Sequence, residues 1–140
     1  MPSRIAIRRA AWAAPALAVA AVGAWAQTSK PALYSADQAS AGAAVYVQAC
    51  ASCHGNGLEG TAAPALKGQA FGDTANAGSM TVDSLLDVIS GSMPQSDPGS
   101  LKPEEYAAVT AYILQQNGYP AGSTALAKGA AGLKDTKVTP

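Results

Sequence analysis

The sequence is poor in large apolar side chains. Beyond residue 26 it holds one phenylalanine, five tyrosines and no tryptophan, against many alanines and glycines. Small side chains bury little area each, so a single domain built from them has a thin core unless something else fills it. Cysteine and histidine are scarcer still, with two and one in the whole chain. A structural zinc site, which needs four ligands, is thereby excluded. No internal repeat is visible, and no series of alternating segments calls for a sheet. No apolar run reaches the roughly 20 residues that a spanning helix needs. At 140 residues the chain has room for one domain.

The first 26 residues read as a removable export signal. Arg4, Arg8 and Arg9 form a basic start, Ala10 to Gly23 is apolar but interrupted by Pro15, and Ala24-Trp25-Ala26 fits the small-x-small cleavage rule. The expected mature chain begins at Gln27 and keeps no membrane span. It is more acidic than the balanced total implies, because all three arginines leave and six basic residues then face nine acidic ones, a net charge of −3. That balance argues against nucleic acid and anionic membrane as partners and for a partner with a basic docking patch.

Residues 27–36 read as an extended lead-in, since Lys30-Pro31 resists helix. Asp37 is the expected N-cap of a first helix reaching Ala49, with Val45, Tyr46 and Ala49 on its apolar side. Gly55 to Gly78, dense in Gly, Ala, Asn and Pro, reads as loop. A second helix is expected from Val82 to Ser90, capped by Thr81 and ended by Gly91, with Leu85, Leu86 and Ile89 at helical spacing. The third is expected from Pro103 to Asn117-Gly118, with Glu104 and Glu105 complementing its dipole and Lys102 or Ser100 at its cap. Tyr106, Ala108, Val109, Tyr112 and Ile113 form its buried side. Residues 121–140 show no strong period and read as a surface-wrapping or partly disordered extension. The class is all-α, with three main helices and long loops.

The chemistry concentrates in Cys50-Ala51-Ser52-Cys53-His54. This is the attachment pattern of a c-type haem. Two thiols three positions apart on a helical turn each reach one vinyl group on one haem edge, and the next residue lies under the iron. Such haems are attached outside the cytoplasm, in agreement with the export signal. A redox disulfide would be expected to open the first helix of a βαβ-type fold, which is absent. A structural Cys50–Cys53 disulfide leaves His54 without a role. His54, the only histidine, is the proximal iron ligand on this reading. The sixth position then falls to Met, Lys, Tyr, water or nothing. Met93, followed by Pro94 in a loop constrained by Pro and Gly, is the preferred candidate; Met80 stands at the start of the second helix, where a methionine usually packs. Thioether and imidazole ligation suits electron transfer. A coordinating imidazole also donates its other N–H to a carbonyl, and Pro64 offers one nearby in the chain.

With these motifs in place the sequence resembles a class I cytochrome c over about residues 37–120. Gly42 and Tyr46 match the small-plus-aromatic pair of that family's first helix, and Tyr112 the aromatic that meets them from the last helix. The chain lacks the tryptophan that the family often places near the haem propionates. More narrowly, Tyr46 to Gly60, Pro64-Ala65-Leu66-Lys67-Gly68 and Met93 to Gly122 resemble the small cytochromes that accompany quinoprotein (PQQ) dehydrogenases. The resemblance implies one covalent haem c with its iron, a periplasmic electron carrier rather than an enzyme, and redox protein partners: a quinoprotein dehydrogenase as donor and a terminal oxidase or another cytochrome as acceptor. The rival reading is a gas-binding or sensor haem protein with a weak or absent sixth ligand.

Overall fold

A computed structural model describes residues 30–140; the expected export signal and the start of the lead-in lie outside the described residues. Five helices and no strand are found among the described residues, in the order α1 (Ala36–Ala49), α2 (Ala51–His54), α3 (Gly68–Ala77), α4 (Val82–Ser92) and α5 (Pro103–Gln116). The fold is all-α, as expected. The three main helices are α1, α4 and α5.

The cap of helix α1 lies two residues earlier than the sequence indicates. Ser35 is extended and its hydroxyl accepts from the Gln38 N–H at 3.3 Å, so Ser35 is the cap and Asp37 lies in the first turn, where its charge still complements the dipole. At Cys50 the backbone leaves helical geometry, which separates α1 from the single turn of α2; Gly55, at φ +83°, ends that turn.

The loop expected between Gly55 and Gly78 contains the helix α3. Gly, Asp, Thr and Asn are weak helix formers, so composition concealed it. What holds it is burial of Phe71 and Ala75, four residues apart on one face, with Gly72 against the ring of Pro140. Helix α4 keeps its expected Thr81 cap, whose hydroxyl accepts from Ser84 N–H at 3.2 Å while Ser84 Oγ accepts from Thr81 N–H at 2.8 Å. It does not stop at Gly91, which has no positive φ, but runs on to Ser92. Its end is Met93, held extended because the residue before a proline avoids the α region. Helix α5 has Pro103 in its first turn and Lys102, rather than Ser100, at its cap; the Glu105 carboxylate accepts from the Lys102 N–H at 2.8 Å.

The core forms where α1 crosses α5. The backbones meet at Gly42, where a side-chain carbon would overlap the Ala108 carbonyl. One turn later Tyr46 is fully buried and its ring meets Tyr112 at 5.4 Å between centroids, tilted by 53°. Helix α5 is buried on most of its circumference, including Thr110, whose hydroxyl donates back to Tyr106 O at 2.9 Å. The segment after Tyr119 wraps the surface without helix and seats Leu126, Leu133 and Val138 in the core.

Candidate functional site

The strand-free loop after α2 is folded tightly back on the cysteine motif. Gly60 N–H donates to His54 O at 2.8 Å and Ala63 N–H to Cys53 O at 3.0 Å. Thr61 Oγ1 adds a bond to the same Cys53 carbonyl at 2.7 Å. These bonds bring Pro64 beside the imidazole, and His54 Nδ1 lies 2.7 Å from Pro64 O. A carbonyl only accepts, so Nδ1 carries the proton and donates, and Nε2 is left as the lone-pair nitrogen. Cys50 and Cys53 are not joined in a disulfide. Burial, then the neighbouring Cys53, raises the Cys50 thiol above its ordinary pKa.

Above this motif opens a cavity of about 650 Å³. Cys50, Cys53, His54, Pro64, Met80 and Met93 all line it, together with apolar residues from α3, α4 and α5 such as Phe71, Leu85, Ile89, Val109 and Ile113. No Asp, Glu, Lys or Arg is in the lining. A large apolar cavity in a thin core agrees with the shortage of bulky side chains, since a group seated there would supply apolar volume that they do not.

Met93 is held from both sides of its backbone. Its N–H donates to Ile89 O at 3.1 Å, and its carbonyl accepts from Tyr106 Oη at 2.8 Å. Tyr106 thus ties the loop after α4 to the first turn of α5. Asn117 makes the corresponding tie at the other end of α5: Nδ2 donates to Leu66 O at 2.9 Å and Oδ1 accepts from Gly68 N–H at 3.1 Å. Helical spacing alone places Tyr106 in the core, and Asn117-Gly118 marks only the end of the helix. The available signal was chemical, because a buried phenol or carboxamide must find partners. Met80 also faces the cavity, with its N–H donating to Ala75 O at 2.8 Å.

The family model described as Cytochrome C oxidase, cbb3-type, subunit III matches residues 37–113. The chain belongs to this c-type cytochrome family. No curated protein and no solved structure matches it. As a class I c-type cytochrome it carries covalently bound haem c with iron, transfers electrons rather than transforming a substrate, and works with redox partners. The cavity fits such a cytochrome's group: its walls are apolar, a pair of thiols and an imidazole share one edge, and thioethers stand in the same lining. Among the described residues no helix is long and apolar enough to cross a membrane.

The cytochrome core carries a pH signature in Tyr46. Its hydroxyl donates to Gly55 O at 2.6 Å, which anchors the end of the cysteine motif to α1. Burial, with smaller contributions from Cys50, Tyr112 and Glu59, pushes its pKa up to about 12. The folded protein therefore holds this proton more tightly than the unfolded chain, where tyrosine titrates near about 10. The stabilisation is complete below about pH 10 and is lost as pH rises toward 12. Tyr34, buried and donating to Tyr119 O, is raised by burial and acts with the same sign. Denaturant unfolding of the cytochrome followed from pH 8 to 12 is expected to show a flat stability and then a fall above about pH 10. Tyr46→Phe reduces that fall while lowering stability at pH 8 by about 1 kcal/mol for the lost hydrogen bond.

Proposed function

We propose that this cytochrome is an exported, periplasmic single-electron carrier with one haem, bound through thioethers at Cys50 and Cys53, with His54 and Met93 as axial ligands. The observation that carries the reading is that both thiols, the histidine and Met93 line one and the same apolar cavity. Cys50 and Cys53, which are not joined to each other, would hold the haem through their two sulfurs. The Pro64 carbonyl orients His54 and, by accepting a hydrogen bond from Nδ1–H, would make Nε2 a stronger electron-pair donor to iron. The two bonds on the Met93 backbone support a fixed thioether rather than a wandering one. Residues 1–26 are the cleaved signal, 27–36 the lead-in, 37–120 the cytochrome domain and 121–140 an extension. A quinoprotein dehydrogenase is the proposed donor, and a terminal oxidase or another cytochrome the acceptor.

The test is expression of the full chain with a cytochrome-maturation system. The expected product begins at Gln27, keeps its haem absorbance through denaturing gel electrophoresis, and has the mass of the chain plus one haem. Replacing Cys50 and Cys53 together by serine removes the colour from the gel. A mature chain that stays colourless, with both sulfurs free or joined to each other, overturns the proposal.

A further inference from the structure

The residues after the family match do more than cover the surface. From Tyr119 onward the chain crosses back toward the segment between α3 and α4, and there it pairs as a strand would. Thr81 and Lys137 form an antiparallel bridge. Val138 N–H donates to Met80 O at 2.9 Å, and Val82 N–H donates to Thr136 O at 2.9 Å. Asp83 N–H donates to Leu133 O at 3.1 Å. Two of the N–H groups that the start of α4 leaves without helical partners are thus satisfied by this segment. Leu133 and Val138 are almost fully buried beneath it, and Pro140 lies on Gly72 of α3, next to Phe71. Met80 is consequently gripped at both backbone groups, its N–H by α3 and its carbonyl by Val138.

The same segment is fastened at its far end by one cation. Lys30 Nζ donates to Asn117 O at 2.6 Å, Thr139 O at 3.0 Å and Pro140 O at 2.6 Å. It also stands 4.8 Å above the ring of Tyr119, whose hydroxyl donates to Lys137 O at 2.8 Å and accepts from Thr139 N–H at 3.1 Å. An ammonium has three protons, and three backbone oxygens meet them.

We infer that residues 119–140 form a strap, buckled by Lys30, that positions the Met80 wall of the cofactor cavity and so helps to set the cytochrome's reduction potential. The inference rests on the proposed use of that cavity by the haem. Met80, Phe71 and Leu85 line the cavity, and each lies in, or directly beside, a segment that the strap touches. Loosening the strap frees the Met80 carbonyl and the first turn of α4 and admits water along that wall. Water stabilises the more highly charged ferric state, which lowers the potential. Lys30 and Val138 are positioning residues: they touch the strap and its anchor, and no haem contact is assigned to them.

The test uses the full-length, haem-loaded protein with Lys30→Met, which removes the buckle, and Val138→Pro, which removes the N–H that holds Met80. Leu126→Ala is the control, because Leu126 is a buried strap residue seated on the α1 side, where its backbone pairs with the Gln38 side chain. Amide exchange at Val82 is expected to speed up at least tenfold in both strap variants, and the midpoint potential to shift downward, while Leu126→Ala leaves the midpoint in place. Faster exchange with an unmoved midpoint, unchanged exchange in Lys30→Met, or an equal shift in Leu126→Ala overturns the inference. If Val138→Pro does not load haem, Lys30→Met alone decides between these outcomes. An unaltered protein without covalent haem would instead count against the proposed function, so the two failures are separable.

Discussion

Met93→Ala is expected to lower the reduction potential by tenths of a volt and to let carbon monoxide bind the ferrous protein, whereas the unaltered protein is expected to exclude the gas. Axial ligand identity moves haem potentials over a span of roughly 0.8 V, so loss of the proposed Met93 thioether is expected to be the largest change one substitution outside the cysteine motif makes. A thioether favours ferrous iron, and its removal leaves water or an open position that favours ferric iron and admits a gas. Because Met93 and Met80 line the same cavity, Met80→Ala is the necessary companion. It is expected to leave the iron closed to carbon monoxide. If Met80→Ala opens the iron and Met93→Ala does not, the two roles are exchanged. If the unaltered protein binds carbon monoxide, the gas-binding reading replaces the electron carrier. The measurements are an anaerobic potentiometric titration and a visible spectrum of the reduced protein under the gas.

Gly42→Ala is expected to destabilise the domain by more than about 3 kcal/mol, at or beyond the upper end for an overpacked core. The added carbon would overlap the Ala108 carbonyl oxygen, which is backbone within a helix that is buried nearly all round, and neither can move aside. The helices would have to separate, and the Tyr46–Tyr112 contact one turn away would open with them. Urea unfolding of the haem-loaded protein gives the magnitude. Gly91→Ala is the reference, since a carbon there meets nothing within 4 Å and Gly91 lies inside α4; it is expected to be neutral or stabilising. Equal effects at the two glycines would show that helix propensity, and not the close crossing, governs position 42.

Much of this architecture is legible in the residues because it depends on local chemistry. The cysteine motif, the Thr81 cap, the Pro103 start and the helical spacing of Leu85, Leu86 and Ile89 each carry their own signal within a few positions. What escaped depends on distant partners. Helix α3 is made of residues that disfavour helix and is held through Phe71, Ala75 and a glycine face against Pro140, far along the chain. Leu126, Leu133 and Val138 show no period because each fills a separate seat along an irregular path. The same holds within the site. Pro64 was reachable from the need of a coordinating imidazole for an acceptor, a rule that applies to any such histidine. Tyr106 was not, since its hydroxyl finds the Met93 carbonyl only once α5 is docked.

The backbone bonds that fold residues 60–63 onto Cys53 and His54 bear on how quickly an electron can be exchanged. A transfer is slowed by every bond length, angle and dipole that must readjust when the charge on the metal changes. Here the peptide under the imidazole is knitted to its own continuation, and the ring is held by Pro64, so with His54 on the iron as proposed the oxidised and reduced states would share nearly one geometry on that side. The cost of rearrangement would then fall chiefly on solvent, and a docking protein that displaced this solvent would speed the very transfer for which it docks.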